Sequence, residues 1–78
     1  MRYHISHESK NRYHLNLAKR RLSQEEADVL YYALIERDDV ESVKVLTKTA
    51  QVIIRYRYNG RKILDFIGKM DLKSPKLM

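Results

Sequence analysis

Two sets of side chains in this sequence could do chemistry: three histidines and a group of basic residues. His4 and His7 stand three apart, and His14 follows at a short distance. Three imidazoles brought to one place can hold zinc or copper. On a strand, positions i and i+3 point to opposite faces, so His4 and His7 converge only where the chain bends between them, with His14 joining across that bend. The plainer expectation is a trio of surface histidines with no metal. Catalysis has less to draw on. There is no cysteine, which excludes disulfides, thiolate metal sites and cysteine nucleophiles. No serine–histidine–aspartate or paired-carboxylate spacing occurs, and no glycine-rich loop is present to cradle phosphate. Asn16 and Arg20 stand where an anion cradle would lie before the first helix, but no glycine shapes the loop. The chain is expected to be non-catalytic and to need no cofactor.

The elements that must position these groups are legible from periodicity. Val40 to Tyr58 reads as a hairpin: Val43 and Val45 alternate with Ser42 and Lys44, and Val52, Ile54, Tyr56 and Tyr58 alternate with Ile53, Arg55 and Arg57. The turn Thr47-Lys48-Thr49-Ala50 has no Asn-Gly pair, so it should span four or five residues. Tyr13, Leu15 and Leu17 alternate with Arg12, His14 and Asn16, and Tyr3 and Ile5 alternate with His4 and Ser6. Together they suggest one N-terminal strand interrupted by a bulge or bend around Glu8 to Asn11. Ser23 with Glu26 three residues later forms a capping box. Ala27, Leu30, Tyr31, Leu34 and Ile35 then fall on one helical stripe. Arg61 to Met70 reads as a second helix, with Ile63, Leu64, Ile67 and Met70 inward and Asn59 able to cap it.

This order predicts an α+β fold, a ferredoxin-like βαββα(β) two-layer sandwich. Right-handed crossovers would place both helices on one face of an antiparallel sheet. One domain over residues 1–70 is expected, with 71–78 a C-terminal linker or short edge strand. The inward set would be Tyr13, Leu15, Leu17, Val43, Val45, Val52, Ile54 and Tyr56. The open face would carry Arg12, His14, Asn16, Lys44, Leu46, Ile53, Arg55 and Arg57.

Sixteen Lys and Arg against ten Asp and Glu give a formal charge of +6, which favours polyanions, anionic lipid or an acidic protein face. No apolar run reaches the length that spans a bilayer, and the N-terminus lacks the apolar stretch of a signal peptide, so a cytoplasmic location is expected. The RNA-recognition motif shares this order of elements and stacks bases on aromatics of its open face. Here alternation sends Tyr13 and Tyr56 inward, leaving Arg and Lys for phosphate contacts that read no sequence. A stand-alone nucleic-acid binder using the open face is the second reading.

Between Tyr3 and Met70 the pattern resembles a divergent heavy-metal-associated domain, the ferredoxin-like module at the N-termini of P-type metal-transporting ATPases. Val40-x-x-Val43-x-Val45 and Val52-x-Ile54-x-Tyr56 are similar to that family's second and third strands. Ser9, Arg12 and His14 are similar to a cysteine-free subgroup's Gly-Arg-x-Arg element, with Asn11 in place of the glycine and His14 in place of the second arginine. The metal-binding Cys-x-x-Cys is absent: Asn16 to Arg21 stands there, so no ligand carries over. The resemblance implies a non-catalytic cytosolic regulatory or interaction module of such a pump, its thiolate site lost. Partner contacts would come from Arg12, His14, Lys44, Arg55 and Arg57. They would meet an acidic face of the pump's catalytic domains or anionic lipid headgroups.

Overall fold

A computed structural model describes residues 2–70, and the linker or edge strand expected at 71–78 lies outside them. The chain forms β1 (Tyr3–Ser9), β2 (Arg12–Leu17), α1 (Gln24–Ile35), β3 (Val40–Leu46), β4 (Gln51–Tyr56) and α2 (Gly60–Lys69). The N-terminal stretch is two strands rather than one bent strand. Ser9 pairs with Arg12, so Lys10 and Asn11 alone reverse the chain. Asn11 makes this possible at φ 61°, a left-handed conformation that asparagine tolerates better than most residues. A bulge also falls within β1, between Ile5 and His7.

All strand pairs are antiparallel, in the order β1-β2-β4-β3. The path β2–α1–β3 leaves a gap that β4 fills by folding back on β3. This is the split crossover of a ferredoxin-like sandwich, and the α+β class stands. The outer position beside β2, which a final strand would take in βαββαβ order, is filled by β1 from the N-terminal side.

One face of the sheet and both helices share a single core. Leu15, Val52 and Ile54 from the sheet, Leu30 and Leu34 from α1, and Ile63 and Ile67 from α2 are completely buried. Each such side chain contributes about 1.5–3 kcal/mol on burial. Tyr13, Leu17, Leu22 and Val40 complete the core, and Val43, Val45 and Tyr56 pack half-buried against it. The expected inward set is therefore inward. Tyr31 is the exception on α1: it sits at the border of the stripe, exposed like Tyr32, and the two rings meet edge to face at 5.2 Å.

The ends of the elements follow local chemistry. Ser23 Oγ accepts from the Glu26 amide at 3.1 Å, and Glu26 Oε1 accepts from the Ser23 amide at 3.0 Å, closing the capping box. Lys19 pairs with the same carboxylate, and together these donors hold the Glu26 carboxyl below its ordinary range. Asn59 does precede α2, but in a left-handed conformation whose side chain makes no capping bond; its carbonyl takes the Lys62 and Ile63 amides instead. Gly60 then brings the backbone against two rings. A Cβ there would lie 2.6 Å from Tyr56 Cζ and 2.8 Å from the Tyr13 hydroxyl. Tyr13 and Tyr56 stack at 5.0 Å between this turn and the sheet. Burial first, then the hydrogen bond to Tyr56, pushes the Tyr13 phenol up to about 12.

Candidate binding face

The helices cover one side of the sheet and leave the other open, so alternation along each strand decides what that side presents. The pairing registers arrange it as rows running across all four strands. The first row is Ser9, Arg12, Arg55 and Ser42. The second is His7, His14, Ile53 and Lys44, and the third is His4, Asn16, Gln51 and Leu46. The bulge after Ile5 turns His7 to the same side as His4, which an unbroken strand would forbid. All three histidines thus share the open face, and His7 lies directly across from His14. They are not gathered into one cluster: among the described residues no three His, Cys, Asp or Glu side chains group closely enough to hold an ion.

The first row is entirely exposed. Arg12 and Arg55 occupy directly opposed positions on β2 and β4, where side chains sit roughly 5 Å apart at Cβ. Neither guanidinium, nor the Lys44 amine one row away, makes an ion pair or hydrogen bond within the described residues. The Ser9 and Ser42 hydroxyls are equally uncommitted there. In the third row Asn16 and Gln51 are committed to neighbours. Gln51 gives its amide hydrogen to Asn16 Oδ1 at 2.9 Å, so its Oε1 is left to accept from His14 Nε2 at 3.3 Å. His14 is thereby held half-buried in the sheet surface, with Ile53 beside it.

Arg57 serves a different purpose from the one its alternation suggests. Its guanidinium donates to the carbonyls of Asp38 and Val40, both at 3.1 Å, and its amide to the Asp39 carbonyl at 2.8 Å. It fastens the start of β3 to the end of β4 and is spent on backbone. Nearby, Arg37 grips Asp39 with two nitrogens, at 2.9 and 2.8 Å, and lies 4.8 Å over the Phe66 ring. That grip holds the buried Asp39 carboxyl below its usual range. The depression of ≈ 360 Å³ beside it is walled by this closed pair with Tyr58, Asn59 and Lys62.

The structure therefore places Arg12, His14, Lys44 and Arg55 on one surface and turns Arg57 away from it. Ser9 and His7 join that surface without having been expected there, and Ser42 joins it with the parity it shares with Lys44. The parity of Ser9 and His7 could be read only once the hairpin reversal at Lys10-Asn11 and the bulge after Ile5 were fixed, and no residue type announces a bulge. No helix among the described residues is long and apolar enough to cross a membrane. No family model, no curated protein and no solved structure matches the chain.

Proposed function

We propose that this chain is a non-catalytic binding module that docks through its open sheet face on an acidic protein surface. The observation that carries the reading is the facing pair Arg12 and Arg55, with Lys44 beside them. These are three cations on one exposed surface, and none of them is ion-paired to a carboxylate of the described residues. Like charges set directly opposite one another weaken a sheet, so such a row gains most from a partner that brings negative charge. The strand pattern resembling heavy-metal-associated domains makes the cytosolic catalytic domains of a metal-transporting P-type ATPase the first partners to try. A nucleic-acid role is less favoured, because Tyr13 and Tyr56 stack on the helix side, leaving no strand tyrosine outside for bases.

A glutamate-rich peptide titrated into the isotope-labelled chain tests this. Amide shifts should map to the open face and fade as salt is raised. The double variant Arg12→Glu, Arg55→Glu should abolish them while keeping native amide dispersion. Equal binding by that variant would sink the proposal.

A further inference from the structure

The first row of the open face is more selective than a general basic patch. It reads Ser–Arg–Arg–Ser across four strands, with every member exposed and directly paired to the next. We infer that Arg12 and Arg55, with the hydroxyl of Ser42 beside them, bind the phosphoryl group of a phosphoserine or phosphothreonine carried by the partner protein. The inference rests on the docking reading above and names what the surface recognises.

The charge balance favours a phosphate monoester over a carboxylate. Two opposed guanidiniums present about two positive charges and two planar forks. A glutamate answers with one negative charge and two oxygens. A phosphate monoester brings ≈ −1.5 to −2 and three strong acceptor oxygens, enough for both forks and a hydroxyl. Ser42 flanks Arg55 on the outer strand, where its hydroxyl would meet the oxygen that the forks leave open, while Ser9 stands three strands away, about 14 Å at about 4.8 Å per strand, too far to share the same group. A nucleic-acid phosphodiester carries only one charge and two free oxygens per phosphate. The adjoining row adds Lys44 for an acidic neighbour and half-buried Ile53 for an apolar one.

Three peptides of one sequence, with phosphoserine, glutamate or serine at the centre, are titrated into the full chain and followed by amide shifts. Inorganic phosphate and a single-stranded RNA oligonucleotide are the further probes. The phosphoserine peptide should bind at least about tenfold more tightly than the glutamate peptide, the effect of one added charge-assisted hydrogen bond. Its shifts should centre on Arg12, Ser42 and Arg55. Arg12→Gln and Arg55→Gln should each remove that preference, and Ser42→Ala should reduce it, all three keeping native dispersion. Equal affinity for phosphoserine and glutamate overturns the inference and leaves the docking reading intact; no binding of either overturns both. Inorganic phosphate binding as tightly as the peptide would overturn the protein-borne source. Tighter binding of the RNA would transfer the face to nucleic acid.

Discussion

Arg12 and Arg55 face one another across β2 and β4 at a cost to the sheet, since like charges in directly opposed positions destabilise it by roughly 0.2–1 kcal/mol. Arg55→Gln should therefore raise stability by about that much in urea unfolding while weakening anion binding. A variant that lost both would show that Arg55 serves the fold instead. Other residues tie stability to pH. Glu26 and Asp39 have carboxyls held below their ordinary range in the folded chain. Their contribution is complete above the unfolded values, roughly pH 4, and is lost as pH falls through the lower folded values. Asp39→Asn and Glu26→Gln should each flatten that acid limb. Tyr13 acts at the other end: with its phenol moved from 10.0 to about 12, its contribution is full below pH 10 and lost as pH climbs toward 12. Tyr13→Phe should erase a tyrosinate step near pH 12 from an alkaline absorbance titration. At this scale the sequence disclosed Arg12, Lys44 and Arg55 by alternation alone. Arg57 obeys the same alternation, yet its long side chain reaches back to two carbonyls, a choice that only the neighbouring strand end decides.

Among the elements, α1 was legible to its first turn because a capping box is written within four consecutive residues. The β3–β4 hairpin was legible because alternation breaks over Thr47 to Ala50 and resumes. The first hairpin was not. Its loop is two residues long and holds no glycine, and the residues on either side continue an alternating polar pattern, so reversal and bend look alike in one dimension. Asn11 carries the reversal. Asn11→Gly should leave the β1–β2 pairing intact, whereas Asn11→Val should cost about 1–2 kcal/mol, because a β-branched residue resists the left-handed backbone. Hydrogen exchange would show the loss first in β1 amides. The two outer strands share a second trait. β1 is bulged after Ile5 and β3 after Val40, and both bulges interrupt edges that would otherwise invite another strand. Binding by strand addition is thus discouraged at both sides of the sheet.

For the molecule as a whole, two layers with both helices on one side followed from hydrophobic parity and crossover handedness, and the core residues followed with them. What parity does not supply is lateral order. Nothing in the residues 3–9 says that they lie outside β2 rather than continuing it, and the Ser–Arg–Arg–Ser row exists only because they do. This placement has a further consequence. Gly68, near the end of α2, lies against the Tyr3 ring at the start of β1, so the two ends of the described chain meet on one side of the fold. A circular permutant that joins them through residues 71–78 and opens between Lys10 and Asn11 would run β2, α1, β3, β4, α2, β1. Its backbone would trace the βαββαβ order of a ferredoxin-like domain without moving a strand. It should fold with the same amide pattern in the sheet and keep the anion preference of the first row. Relieved of its tight reversal, the outer strand should exchange its amides faster than in the parent chain.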